Sequence, residues 1–182
     1  MNFKIFSFLV IVIILCSCQE ESDFLSDCKC YKKDFKRGIK VTDNLDRYQI
    51  VVPNENWNPT TVTDELGNGI DAAILEGKSY KYFGVNEIKK DNDWESLKKQ
   101  QAEYKSDTNV IESGFINING QESLWNLVDY NTDSIPKLTL YVTTEHPIEN
   151  SFYTLNLSVS KNKYGKKELC ELENLLKLFN TK

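Results

Sequence analysis

The chain offers few side chains with catalytic habits, and their spacing decides what each could do. It holds one histidine, His146, followed at once by Pro147. A triad base needs a nucleophile on one side and an orienting acid on the other. No Gly-x-Ser-x-Gly elbow or comparable turn stands anywhere in the sequence, so His146 reads as a surface turn residue. Cys28, Cys30, Cys170 and one histidine do not make the paired spacings of a zinc site. Asp91, Asp93 and Glu95 copy the opening of a calcium loop. Ser96 then stands where glycine is needed and Ala102 where the bidentate glutamate belongs, so Asp93 reads as a helix cap. No glycine loop of the phosphate-cradling or dinucleotide-binding kind is present. Tyr80 and Tyr82 could stack a ligand, although on a half-buried strand such a pair more often packs. No catalytic residue, cofactor site or metal site follows from this inventory. A carboxylate-based hydrolase is the less favoured alternative, because no acid and base stand out as a pair.

The five cysteines say more. A short start bearing Lys4 leads into an apolar run from Ile5 to Leu15, interrupted only by Ser7. About eleven residues at a rise of ~1.5 Å cover roughly half of a 30 Å hydrocarbon core, too little to span it but right for a signal-peptide core. Leu15-Cys16-Ser17-Cys18 follows, and it resembles the lipobox of bacterial lipoproteins, with Leu15 at −3, a small residue at −1 and Cys18 as the lipidated residue. Cys16 fits less well, since Leu15 would then fill the small −1 position. A diacylglycerol and an N-acyl chain (palmitate or its like) on Cys18 supply the two hydrophobic signals that stable anchoring needs. The acidic Gln19-Glu20-Glu21-Ser22-Asp23 resembles the export tag that sends Bacteroidota lipoproteins to the outer face of the outer membrane, and it equally suits a solvated tether.

Residues 1–17 are thus expected to be a lipoprotein signal peptide, 18–37 an acidic tether, and 38–182 a single domain. Lys4 is the only charged residue before Cys18, so loss of the leader makes a chain of formal charge −5 one unit more acidic. With no basic stripe, nucleic acid is excluded as a partner. The expected partners are the membrane, through the anchor, and an envelope protein.

Cys170 lies in a predicted closing helix, about 160° from the centre of its apolar stripe at a 3.6-residue period. It should face outward, where an oxidising compartment would pair it with Cys30 or Cys28. Either bridge closes a loop of about 140 residues, nominally worth up to ~5 kcal/mol. Asp133-Ser134-Ile135 matches the O-glycosylation sequon of exported Bacteroidota proteins, with Ser134 as acceptor.

The elements that must position these residues follow from patterning. Strands are expected over 47–53, 60–66, 70–75, 79–88, 109–118, 121–130, 137–144 and 151–160. The last alternates Tyr153, Leu155, Leu157 and Val159 on one face. Asn119-Gly120 marks a tight hairpin. Asp93 opens one helix, and Lys166 to Phe179 forms another with Leu169, Leu172, Leu175, Leu176 and Phe179 on one side. That order predicts an α+β fold, an antiparallel sheet flanked by helices.

"VVPNENW", "DWESLKKQQ", "SGFINING", "LWNLVDY", "LTLYVTT", "YTLNLSVS" and "LENLLKLF" come in an order that resembles the PsbP-like fold, over residues 45 to 180. That fold is shared by the extrinsic photosystem II protein, a Ran-binding Mog-type protein and bacterial lipoproteins. The resemblance implies an α/β/α sandwich and a non-catalytic binding or accessory role, and it transfers no site residues. The expected function is that of a membrane-anchored accessory module in the cell envelope. An immunity or adhesion lipoprotein with a specific protein partner is the alternative. Loops near Trp57, Gly67 to Gly69 and Asn131 to Pro136 are the expected contact surface.

Overall fold

A computed structural model describes residues 24–182 apart from 29–30, 32, 64–66, 78, 90–92, 105–108, 132–134 and 146–150. Strands dominate it. Seven form one antiparallel sheet: β3 (Thr60–Thr63), β4 (Asn68–Glu76), β5 (Ser79–Lys89), β6 (Val110–Ile118), β7 (Gln121–Tyr130), β8 (Lys137–Glu145) and β9 (Ser151–Ser160), in the order β3-β4-β5-β9-β8-β7-β6. β1 (Ile39–Thr42), β2 (Tyr48–Val52) and β10 (Asn180–Thr181) form a second sheet of three, in the order β1-β2-β10. Helices α1 (Phe24–Asp27), α2 (Trp94–Tyr104) and α3 (Gly165–Glu173) are short.

This corrects the α+β expectation and the α/β/α sandwich. Two features of the chain overturn it. The closing helix stops at Glu173, and Leu176–Leu178 is a 3-10 turn. Leu169, Leu172, Leu175 and Leu178 recur every three residues, which a 3-10 geometry with three residues per turn satisfies as well as an α-helix does. The chain beyond it then pairs as β10 with β2, Asn180 opposite Gln49. In addition Ile39–Thr42, unread as a strand, pairs with β2 from Ile39–Val52 to Thr42–Gln49.

Asn119 and Gly120 both have positive φ, 51° and 90°, as a two-residue hairpin turn between β6 and β7 requires. β5 and β6, by contrast, run the same way with three strands between them. Their connection has to travel back along the sheet, and α2 lies in that crossover. Asp93 caps α2, its Oδ1 accepting from the Ser96 N–H at 2.7 Å.

Alternation gives the large sheet two unlike faces. On the inner face Val85, Leu155, Val142 and Trp125 stand in one cross-strand row, and Phe83, Leu157, Leu140 and Leu127 in the next. Leu169 and Leu172 of α3, Ile50 and Val52 of the small sheet, and Leu175, Leu176 and Phe179 complete this core. Tyr48 packs edge-on to Tyr153 at 5.0 Å and against Phe179 at 5.9 Å. The Trp125 indole lies over Gly114, where a Cβ would come within 2.9 Å of Nε1.

The N-terminal segment closes over the same side. Phe24 and Cys28, one turn apart, are both buried, as is Phe35. Cys28 is joined to Cys170 by a disulfide. Cys170 was expected to face outward, and it is 3% exposed, because the segment carrying Cys28 covers the helix face opposite the leucine stripe. Cys30, the other candidate for this bridge, lies outside the described residues.

Candidate functional site

The outer face of the same sheet has a different chemistry. One row crosses it through Asp71, Gly84, Asn156, Tyr141, Asn126 and Ser113, taken in register from β4 to β6. An ordinary solvent face would carry Lys and Glu. Beyond Asp71 and Gly84 these positions carry amides, a phenol and a hydroxyl instead.

Tyr82 leans along β5 over Gly84 and donates its phenol to Asp71 Oδ1, and a Cβ at Gly84 would collide with that phenol. Tyr80 stacks on Tyr82 with centroids 6.4 Å apart. On the next strands Tyr130 and Tyr141 meet edge to face at 6.5 Å, their hydroxyls 3.1 Å apart. Thr139 and Ser158 share a hydrogen bond of 2.9 Å, and Ser158 Oγ donates to Asn156 Oδ1 at 3.1 Å. Burial, then the bond to Asp71, pushes the Tyr82 phenol well above its ordinary pKa. Burial, then the bond to Tyr130, does the same for Tyr141. Both phenols therefore stay protonated at neutral pH.

Between α2 and the sheet the chain returns at Asn109, and beside it lies a groove of about 280 Å³. Tyr130 and Tyr141 give it phenols, Asn109 and Asn126 amides, Thr143 and Thr154 hydroxyls, and Val110 and Val128 apolar surface. Among the described residues the lining has no carboxylate, ammonium or guanidinium. Asn126 Oδ1 is buried there with no hydrogen-bond partner among the described residues, and the same holds for Ser113 Oγ, its cross-strand neighbour. A buried donor or acceptor left unsatisfied costs about 1–3 kcal/mol, so each such atom asks for an explanation. Ser151 Oγ and Asn174 Nδ2 are others among the described residues, away from the groove, whereas Asn126 Oδ1 lies in a groove that a ligand could enter.

A second polar cluster is more densely paired. Asp43 accepts from the backbone N–H groups of Leu45, Arg47 and Tyr48 at 2.9, 2.7 and 2.7 Å and from Asn68 Nδ2 at 2.5 Å. Burial raises its pKa, but these bonds outweigh burial and leave it below the usual carboxylate range. Arg47 meets the buried Glu87 at 2.6 Å. The cluster fixes the β1–β2 turn onto β4 and β5, and its donors and acceptors are turned on one another.

The residues singled out from sequence scatter. Trp57, expected beside a contact loop, is 3% exposed and belongs to the core. Gly67–Gly69 opens β4 against β5, where a Cβ at Gly69 would approach Asn86 Oδ1 to 2.8 Å. Cys18, Ser134 and His146 lie outside the described residues. Tyr80 and Tyr82 pack on each other, on the groove's face of the sheet. Asn126, Tyr141, Thr143 and Thr154 were missed. The signal that could have found them is the lack of charge at alternate positions of three successive strands. Among the described residues no helix is long and apolar enough to cross a membrane, and no group of three or more His, Cys, Asp and Glu side chains is placed to hold a metal ion.

No protein-family model matches the sequence, nor does any curated protein. Among solved structures, a Bacteroides thetaiotaomicron protein superposes with a TM-score of 0.54 at 11% identity, over 80% of this chain and 48% of its own. The chain thus spans about half of that protein, and the likeness shows a shared fold. LpqN, a protein involved in cell envelope biogenesis in Mycobacterium tuberculosis, aligns at a TM-score of 0.48 and 12% identity over 79% of this chain and 84% of its own.

Proposed function

We propose that the chain is a lipid-anchored, non-catalytic binding module of the cell envelope, with the outer-face groove as its ligand site. The observation that carries this reading is Asn126 Oδ1, a buried acceptor without a partner among the described residues, in a groove whose described lining is uncharged. Protonated phenols, hydroxyls and amides bind well, but they offer no general base or activated nucleophile. The anchor reading rests on Leu15-Cys16-Ser17-Cys18 and the acids after it, which favour the outer membrane and its exposed face. From Cys18 to Phe24 the chain can reach about 20 Å when extended. The Phe24 N–H donates to Glu112 Oε1 at 2.8 Å, on the strand that brings Val110 to the groove. Anchoring at Cys18 therefore keeps the groove close to the bilayer.

A second reading, an immunity or adhesion lipoprotein, draws on β6. This edge strand leaves Ile111 48% and Phe115 55% exposed, side chains that a protein partner would cover.

Site-specific photo-crosslinking in intact cells tests the proposal. Benzoylphenylalanine at position 109, on the groove rim, should yield a discrete adduct that the same probe at position 166, on the exposed side of α3, does not. Equal adducts at both positions, or none at 109, would overturn it.

A further inference from the structure

We infer that the groove takes an uncharged carbohydrate. This rests on the groove being the binding site and goes on to name the ligand's chemistry. Of the eight lining residues, six end in a hydroxyl, phenol or carboxamide: Asn109, Asn126, Tyr130, Tyr141, Thr143 and Thr154. Such groups both donate and accept hydrogen bonds. Sugar hydroxyls do the same, so each can pair with any of them. A carboxylate or phosphate only accepts and an ammonium only donates, so either would leave part of this lining unmatched.

Charge points the same way. Bringing an ionised ligand out of water is costly unless an opposite charge meets it. Nearby charges are already engaged. Asp129 Oδ2 accepts from Lys161 Nζ at 2.6 Å and Asp71 holds the Tyr82 phenol, while Lys137 Nζ keeps its charge 5.5 Å over the Tyr130 ring, outside the lining. Val110, Val128 and the tyrosine rings then offer the apolar patch that suits the C–H face of a sugar ring. Asn126 Oδ1 needs a donor, and a ring hydroxyl is one. At about 280 Å³ the groove lies just below the usual range of small-ligand sites, about 300–1,000 Å³. A peptide fits the groove floor less well, because the backbone groups of β7, β8 and β9 there are consumed in their ladders, and the sheet's free edge is the outer side of β6.

The test uses the full-length protein in detergent, with the Cys28–Cys170 bridge intact, on an array of neutral and acidic oligosaccharides, followed by calorimetric titration of what is retained. Neutral oligosaccharides should bind. Asn126→Ala should weaken them about tenfold, the worth of one buried hydrogen bond, with the melting temperature unchanged. Should that variant fold poorly, Thr143→Val, which keeps the shape and removes a hydroxyl, should weaken binding severalfold. Retention confined to acidic glycans, unaltered affinity in the variants, or no glycan bound at all would overturn the inference. If the position-109 adduct forms in cells and proves to be a peptide or lipid, the binding module stands and the carbohydrate falls.

Discussion

The two faces of the seven-stranded sheet come from the same strands, one residue out of step. Leu155 and Leu157 point inward, with Asn156 between them pointing out. Leu140 and Val142 point inward, with Tyr141 between them. The inner face is dry, crowded and fastened by a disulfide. The outer face is hydroxylated, with its charges away from the middle of β7, β8 and β9, and incompletely satisfied among the described residues. Free energy is stored on one side and left available on the other, which is how a rigid sheet can hold a ligand without the ligand being needed to hold the sheet.

The contrast can be broken from either side, and the largest effects should come from the inner one. Leu157 is fully buried at the sheet's centre between Phe83 and Leu140. Leu157→Ala should cost about 2–5 kcal/mol in a urea titration, through lost burial and the cavity left behind. Removing both bridge partners, Cys28→Ser with Cys170→Ser, should cost about 2–4 kcal/mol, since their separation of 142 residues closes a long loop in the unfolded chain. The same protein under reductant should match the double variant. A midpoint unmoved by reductant would mean that the N-terminal segment adds nothing to the inner face.

Asp43 sharpens the comparison through pH. Its folded pKa is held below the unfolded value of about 3.9, so its contribution is fully present above that value and is lost as pH falls through the folded pKa. Asp43→Asn should therefore be less stable than the wild type at pH 7 by about 1–3 kcal/mol. The gap should narrow below about pH 4, where the wild type loses the same charge. A gap independent of pH would mean that the carboxylate's charge is not what the four donors hold.

The outer face should give the smallest effects on stability. Asn126→Ala removes an acceptor that has no partner among the described residues, so it should lower the urea midpoint by no more than the equivalent of about 1 kcal/mol and could raise it. A loss of several kcal/mol would place Asn126 in the structural core rather than in a site.

Much of the strand order was legible, because alternation in β9, the Asn119-Gly120 turn and the Asp93 cap are local signals. What failed was non-local. β1 has four residues and β10 two, and β10 meets β2 only through the pairs Asn180–Gln49 and Thr181–Tyr48, which no local pattern announces. The bridge illustrates the same limit. An exposed-side thiol on α3 and two cysteines near residue 30 were visible, but the choice of Cys28 depends on α1 placing it one turn from Phe24, both facing inward. The groove was hidden for a related reason. Asn126, Tyr141 and Thr154 sit on three strands, and only their register makes them neighbours. Each taken alone reads as an ordinary solvent-side residue.

The central claim is that the groove binds and the inner face stabilises, and one substitution tests both halves. Thr143→Trp places a large ring in the groove, from a half-buried position on the outer face. It should be combined with benzoylphenylalanine at position 109 and measured for adduct yield in cells and for the urea midpoint of the purified protein. The account predicts that the adduct disappears while the midpoint stays within about 1 kcal/mol of the parent, the scale expected of a change away from the core. An adduct that persists with the groove filled, or a fold that collapses when it is, would contradict it.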